Sequence, residues 1–305
     1  MVFKSLDFIE KLSPEERVNH FGANQKAPLK QKKVRSNMML NPLNLKHLNR
    51  LDELKADMVT LNLEDAIAPS RKKEALYNIA LFLSHLKASK TFIIIRTNPI
   101  DEGGYEEIEF LNEFKFDAVR IPKVKTAHEV EVALKILESS KELHLSLETK
   151  EAFSSIKELK IDPRVTTLNL GILDLLHSLN LPQSLLDIQN PSIEYILSKF
   201  LVESKTHDFL PISFMFQDYK NITLFKQWLH KEKMMGFGSK ACMGPLQVEE
   251  VNQLFSSSSD EIYRAKRIKE LFEEHSLVGV NGFLDNEFGF IDEPIYKDAL
   301  LVLGA

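Results

Sequence analysis

From residue 36 onward, short stretches rich in β-branched and large apolar residues alternate with longer amphipathic stretches. The short stretches have the length and composition of buried strands, and the longer ones have the periodicity of helices. Eight strands are predicted: SNMML (36–40), DMVTLNLE (57–64), KTFIIIRTN (90–98), DAVRIPK (117–123), ELHLSLE (142–148), VTTLNLG (165–171), LPISFMF (210–216) and MMGFGSKACM (234–243). The helical patterns between them include residues 69–87, 126–139 and 221–233.

Regular alternation of strand and helix predicts parallel strands, because each return to the same end of a sheet needs a crossover. Eight repeats favour an α/β fold of the (β/α)₈ TIM-barrel type, for which about 250 residues is typical. The alternative is an open doubly wound sheet, but the turn after the first strand, LNPLNLKHL, contains no GxGxxG motif. Residues 181–207 predict an additional helix, and the tail after residue 246 predicts helices and a hairpin that form a C-terminal cap.

Residues 1–34 precede the alternating pattern and run into the basic stretch KAPLKQKKVR. We therefore predict an N-terminal extension over residues 1–34 and a barrel domain over residues 35–305. A charge run of this kind is typical of a solvated linker, with a lid or a phosphate contact as the alternative. We expect the extension to be dispensable for folding.

Composition narrows the class of ligand. The chain has 305 residues, of which 44% are hydrophobic, and a net charge of −5, so it provides a globular core without a general attraction to nucleic acid or anionic membranes. Its one cysteine cannot form an internal disulfide, and the first 20 residues lack the apolar centre of a signal peptide. We predict a cytoplasmic protein with a small-molecule ligand.

Polar residues mark the ends of five consecutive predicted strands. They are Glu64 and Asp65, Arg96 and Asn98, Lys123, Glu148, and Asp174 just beyond the sixth strand. A single charge at a strand end is typical of a helix cap or a surface ion pair. Because the carboxyl ends of barrel strands form one catalytic face, five in succession indicate an active site.

The residue types at this face suggest a metal and an anion. Glu148 and Asp174 follow adjacent strands, and Mg²⁺ commonly takes one or two protein carboxylates. No His/Cys cluster has the spacing of a zinc site. The planar fork of Arg96 suits a substrate carboxylate, and a buried ion pair with Glu64 or Asp65 is a compatible alternative.

Eight stretches, in order, resemble the HpcH/HpaI aldolase and citrate lyase β-subunit superfamily, specifically its CitE-like branch. They are VRSNMMLNP (34–42), LNLEDAIAPSRK (61–72), IIRTNP (94–99), VRIPKV (119–124), LSLET (145–149), LNLGILDLL (168–176), GFGSKACMGPLQ (236–247) and DEPIYKDALLVL (292–303). The resemblance covers nearly everything after residue 34. It implies a (β/α)₈ barrel that cleaves or forms carbon–carbon bonds next to a carbonyl.

The resemblance also implies roles for individual residues. Arg96 and Glu148 correspond to substrate-binding residues, Glu148 and Asp174 to the Mg²⁺ ligands, and Glu64 and Asp65 to the residues that handle protons. The implied substrate is a β-hydroxy acid or its CoA thioester, of the citryl-CoA or malyl-CoA type, from which a 2-oxo acid is released. The implied assembly is a homo-oligomer, a trimer or hexamer.

Three positions differ from the family pattern. Asn62 replaces an acid, Lys150 replaces a proline, and Gly244 stands where a histidine is expected. Two alternatives therefore stay open beside the thioester lyase. One is an aldolase that acts on free 2-oxo acids, and the other is a ligand-binding or assembly subunit that has lost turnover.

Overall fold

The computed structural model describes residues 1–304, in which eight parallel strands form one sheet in the order β7-β6-β5-β4-β3-β2-β1-β8. The strands are β1 (Ser36–Leu40), β2 (Met58–Asn62), β3 (Phe92–Arg96), β4 (Ala118–Ile121), β5 (Glu142–Leu147), β6 (Val165–Leu170), β7 (Leu210–Ile212) and β8 (Lys240–Cys242). A parallel bridge between Ser213 and Lys240 joins the end of β7 to β8. The sheet therefore closes, and the predicted TIM barrel is confirmed.

Helices follow the strands as the periodicity predicts. They are α1 (Asp7–Glu10), α2 (Leu45–Leu48), α3 (Lys72–His85), α4 (Gly104–Leu111), α5 (Ala127–Ile136), α6 (Lys150–Ser154), α7 (Ile172–Ser178), α8 (Pro191–Thr206), α9 (Ile222–Met235), α10 (Pro245–Leu254), α11 (Ser259–Leu277) and α12 (Glu293–Leu303). The helix predicted within residues 181–207 is α8. A capping box between Thr126 and Glu129 fixes the start of α5.

The predicted eighth strand is too long at its amino end. Met234 and Met235 belong to the last turn of α9, and Gly236 follows them with φ of +103°. A glycine in this left-handed conformation ends a helix, so the apolar residues before it pack as helix rather than strand. Only Lys240–Cys242 pairs with the sheet.

Three polar side chains meet inside the barrel. Asn37 Nδ2 and Arg120 Nη1 each donate to Asn169 Oδ1 at 3.3 Å. These residues belong to β1, β4 and β6, which are not neighbours in the sheet, so their side chains meet inside the barrel. One apolar cluster of buried residues contains Met58, Phe92, Ile94, Ala118 and Ile212.

The N-terminal segment packs onto the barrel. Ile9 is fully buried, and buried Arg17 donates through Nη1 to Asn78 Oδ1 at 2.6 Å. Within the basic stretch, Lys26 forms a 2.8 Å ion pair with Asp117. The first half of the segment is therefore held to the barrel, whereas most residues of the basic stretch are exposed, as a solvated linker would be, and Lys26 is the buried exception. The expectation that residues 1–34 are dispensable for folding and the boundary at residue 34 both stay predictions.

The chain forms two compact units, Met1–Gln253 and a second that begins at Leu254. In the second unit, α11 is followed by the antiparallel hairpin of β9 (Gly282–Asp285) and β10 (Gly289–Asp292), and then by α12. Its core contains Ala265, Ile268, Phe272, Ile291 and Ala299. The predicted hairpin and final helix are confirmed. No helix within residues 1–304 combines the length and hydropathy needed to cross a lipid bilayer.

Candidate active site

Three carboxylates surround the guanidinium of Arg96 at the carboxyl end of the barrel. Arg96 Nη2 lies 2.8 Å from Glu64 Oε2, 3.5 Å from Asp65 Oδ2 and 3.5 Å from Glu148 Oε2. Lys123 Nζ lies 2.7 Å from Glu64 Oε1 and 3.7 Å from Asp65 Oδ1. The ends of β2, β3, β4 and β5 thus bring five of the polar residues predicted from the sequence into one cluster.

The turn after β2 orients the acidic pair. Asn62 Nδ2 donates to the carbonyl oxygen of Asp65, and the Asp65 N–H donates to Glu64 Oε2 at 2.6 Å. An ionised aspartate at position 62 would lack this donor. The asparagine that replaces the family's acid therefore makes a hydrogen bond that stabilises the turn. Ala66 follows with φ of +68°, a left-handed conformation that is uncommon for a residue other than glycine.

The two carboxyl groups of this turn differ in pKa. Burial and the neighbouring Glu64 raise the pKa of Asp65 to about 6. Burial also opposes the charge of Glu64, but its hydrogen bond with Asp65 and the cations of Arg96 and Lys123 outweigh that effect and lower its pKa to about 2. Near neutral pH, Glu64 is therefore a fixed anion and Asp65 is poised to exchange a proton.

Glu148 is held by backbone on both sides. Its Oε1 accepts the Lys123 N–H at 2.7 Å, and Lys123 adopts a left-handed φ of +53°. On the other side, a Cβ atom at position 171 would lie only 2.6 Å from Glu148 Oε2. Gly171 therefore leaves the space in which the buried carboxylate sits.

Asp174 lies in the first turn of α7, the helix that begins directly after Gly171. Its side chain is exposed, and its carboxylate makes no hydrogen bond or ion pair with any part of the chain that the structure describes. Within residues 1–304, no three His, Cys, Asp or Glu side chains are grouped for a metal ion. A site built from Glu148 and Asp174 would supply two carboxylates, which suits Mg²⁺ better than zinc.

The structure also shows the surroundings of Lys150 and Gly244, the other two positions that differ from the family pattern. The Lys150 N–H donates to Ser178 Oγ at 2.9 Å, a hydrogen bond that a proline at this position could not make. At Gly244, no atom lies within 4 Å of the place where a Cβ would stand. The position of the expected histidine is thus open space.

Asn98, the remaining strand-end residue, supports the loop after Arg96 instead of joining the cluster. Its backbone N–H and side-chain amide both donate to the buried carboxyl group of Glu107, at 2.8 Å and 2.5 Å. Burial raises the pKa of Glu107. Glu107 lies on α4, so this helix fixes the backbone two residues beyond the substrate-binding candidate.

Arg120 is the residue near the site that the strand-end argument missed. It lies inside β4, where an arginine between apolar neighbours was the only signal, and its register partner in β3 is Arg96. Burial, with a further contribution from the Arg96 cation, lowers the pKa of Arg120 to about 9. Its guanidinium donates to Ser146 Oγ at 2.8 Å and to Asn169 Oδ1.

A TIM barrel with acidic and basic residues gathered at its carboxyl ends has the arrangement of a barrel enzyme. The sequence model of the HpcH/HpaI aldolase/citrate lyase family matches residues 35–245, and the chain belongs to this family. This confirms the resemblance seen in the sequence motifs.

The chain is also similar to individual proteins of known name. The (3S)-malyl-CoA thioesterase of Cereibacter sphaeroides is 29% identical over 228 residues, which is 74% of this chain and 79% of the relative. Citrate lyase subunit beta of Haemophilus influenzae is 25% identical over 286 residues, 89% of this chain and 96% of the relative. Crystalline CitE from Mycobacterium tuberculosis, in complex with magnesium, acetoacetate and coenzyme A, superimposes with a TM-score of 0.69 at 17% identity, covering 90% of this chain and 98% of that one.

Proposed function

We propose that the protein is a Mg²⁺-dependent carbon–carbon lyase that acts on a β-hydroxy acid or its CoA thioester and releases a 2-oxo acid. The observation that carries the proposal is the cluster of three carboxylates within 3.5 Å of Arg96 Nη2. The family and the relatives named for citrate lyase and malyl-CoA substrates support it. The reverse reaction, condensation, would use the same groups.

Arg96 would bind the carboxylate of the 2-oxo acid half. Its Nη2 is engaged by Glu64, whereas its buried Nε has no acceptor. A guanidinium fixed at one nitrogen by a permanent anion keeps its plane and its other donors in place for a ligand. Glu64 is thus a positioning residue as well as a member of the acidic pair.

Glu148 and Asp174 are the residues that would hold Mg²⁺. When bound, the ion would polarise the carbonyl of the 2-oxo acid half and help to orient it. The backbone of Lys123 and the absence of a side chain at Gly171 keep the Glu148 carboxylate at the mouth of the barrel.

Asp65 would act as the general base. Its half-exposed carboxylate would take the proton of the substrate hydroxyl group as the carbon–carbon bond breaks. The hydroxyl carbon becomes the carbonyl of the 2-oxo acid, and the electron pair of the broken bond passes to the departing half as an enolate. Protonation of the enolate carbon completes the reaction, so atoms and charge balance.

The test of this function is product analysis with malyl-CoA and Mg²⁺. A lyase converts malyl-CoA to acetyl-CoA and glyoxylate, whereas a thioesterase converts it to malate and free CoA. Chromatography of the CoA species distinguishes these outcomes. Citryl-CoA, which would give oxaloacetate and acetyl-CoA, is the second substrate to assay.

The open space at Gly244 favours one alternative, a ligand-binding or assembly subunit without turnover. An aldolase acting on free 2-oxo acids is the other. Binding of a 2-oxo acid without conversion of either thioester would select the subunit, and turnover of free acids with aldehydes would select the aldolase. We retain the proposals that the protein works in the cytoplasm as a homo-oligomer.

The metal proposal predicts mutual tightening of Mg²⁺ and substrate. If the two bind side by side at Glu148 and Asp174, each should increase the affinity for the other by the same factor, as linkage requires. Calorimetric titration of oxaloacetate with and without Mg²⁺ measures this factor. Glu148→Gln and Asp174→Asn should each abolish it, whereas Glu151→Gln, a change at an exposed residue of α6, should not. Equal affinities with and without the metal in the wild type would contradict chelation.

Replacement of Arg96 by lysine should weaken oxaloacetate binding by roughly 1.5–3 kcal/mol, the range for hydrogen bonds to charged groups. Lysine keeps the charge but loses the planar fork, and it also loosens the hold on Glu64. Titration at saturating Mg²⁺ measures the loss. Arg267→Lys, at a surface ion pair with Glu270, is the matched control. If Arg96→Lys bound as tightly as the wild type, Arg96 would not be a substrate ligand.

A further inference from the structure

Arg120 is a buried cation without a carboxylate partner. Its exposed fraction is 6%, and within residues 1–304 it forms no ion pair. Its Nε and Nη1 donate to the neutral oxygens of Ser146 and Asn169, and Nη2 has no acceptor among the described residues. A buried guanidinium is costly unless an anion or a full set of hydrogen bonds compensates it.

Two buried donors in the surroundings of Arg120 lack an acceptor. Asn169 Oδ1 already accepts from Arg120 and from Asn37 Nδ2, which fixes the orientation of the amide. Asn169 Nδ2 then remains buried without a partner, as does the Nε of Arg96. Buried polar groups in native proteins are rarely left unpaired. The unpaired donors in this part of the barrel therefore indicate that an acceptor binds there.

These donors lie directly beneath the candidate active site. Ser146 is two residues before Glu148 on β5, and Asn169 is two residues before Gly171 on β6. Two strand residues span about 7 Å, so the groups to which Arg120 donates lie about that far below the level of Glu148 and Gly171 along their strands. Arg96 and Arg120 are register partners on adjacent strands, about 4.8 Å apart, and their positive charges repel.

We propose that Arg120 and Asn169 form a second carboxylate-binding position on the floor of the active site, which selects a 2-oxo acid with a second carboxylate. The inference rests on the proposed function and deepens it, since it names the class of 2-oxo acid. A dianion would reach Arg96 with one carboxylate and the floor with the other. It would supply the missing acceptor and offset the repulsion between the two arginines.

The test compares oxaloacetate with 2-oxobutyrate, which carries a methyl group in place of the second carboxylate. Each acid is titrated calorimetrically at saturating Mg²⁺ into the wild type, Arg120→Met and Asn169→Asp. The aspartate keeps the volume of Asn169 and places the protein's own carboxylate against Arg120. Arg267→Met, at the surface, is the control for loss of an arginine.

We expect the wild type to bind oxaloacetate at least about tenfold more tightly than 2-oxobutyrate, as hydrogen bonds to charged groups allow. Both floor variants should lose this preference and keep most of their affinity for 2-oxobutyrate. Should Arg120→Met fail to unfold cooperatively, the isosteric Asn169→Asp decides.

Four results would overturn the inference. One is a preference for oxaloacetate that persists in Asn169→Asp, and another is a parallel loss of affinity for both acids. A wild type that binds the two acids equally would remove the floor position but leave the proposed lyase intact. Failure of the wild type to bind either acid would overturn the proposed function together with the inference.

Discussion

Asp65→Asn should lower kcat with malyl-CoA by about 10²–10⁴-fold, the usual contribution of a general base, while KM changes little. The side chain keeps its size but can no longer accept the hydroxyl proton. Steady-state kinetics with detection of glyoxylate measure the effect. Asp162→Asn, just before β6 at the opposite end of the barrel, is the control and should retain full activity.

The activity of the wild type should depend on the protonation of Asp65. A base with a pKa of about 6 must be deprotonated to act, so kcat/KM should rise as the pH increases through about 6. Because the Glu64 anion helps to raise the pKa of Asp65, Glu64→Gln should move this inflection to lower pH. A profile that is flat between pH 5 and 8, or one unaffected by Glu64→Gln, would remove Asp65 as the base.

Lys240→Met should destabilise the barrel by about 3–5 kcal/mol, the cost of breaking a buried ion pair. Lys240 and Glu232 are both fully buried, with 2.6 Å between Nζ and Oε1, and Ser213 Oγ donates to the same oxygen at 2.6 Å. The variant leaves Glu232 without its cation, next to the seam where β7 meets β8. Urea denaturation followed by circular dichroism gives the loss of unfolding free energy.

The double variant Lys240→Met with Glu232→Leu separates the ion pair from packing. It removes both charges, so it should be more stable than Lys240→Met alone. Lys297→Met, which breaks an exposed pair with Glu293, should cost at most about 1 kcal/mol. A loss of less than about 1 kcal/mol in Lys240→Met would show that the buried pair does not stabilise the seam.

The strands of this barrel are predictable because parallel strands buried on both faces read as short apolar runs, as in FIIIR of β3. The carboxyl-end residues were predictable for a related reason. Once alternation implies a barrel, the end of each strand is known to lie on one face, and Arg96 and Glu148 meet there.

Other contacts depend on tertiary structure that local patterns do not contain. A polar residue within a short strand can face the helices or the interior, and only closure of the sheet shows that Arg120 and Asn169 meet. The packing of the first 20 residues onto the barrel depends on contacts of the same kind. Arg17 donates to Asn78, which lies 61 positions away, and no local pattern indicates that contact.

Gly171 bears on how other sequences of this family can be judged. Any side chain at this position would displace the Glu148 carboxylate, even though the glycine itself carries no chemistry. A homologue that retains both acidic residues but has alanine here would possess the proposed ligands and lack the room for the Glu148 carboxylate. The residue at this position therefore separates relatives that can hold the Glu148 carboxylate as this chain does from those that keep the proposed ligands without the room for them.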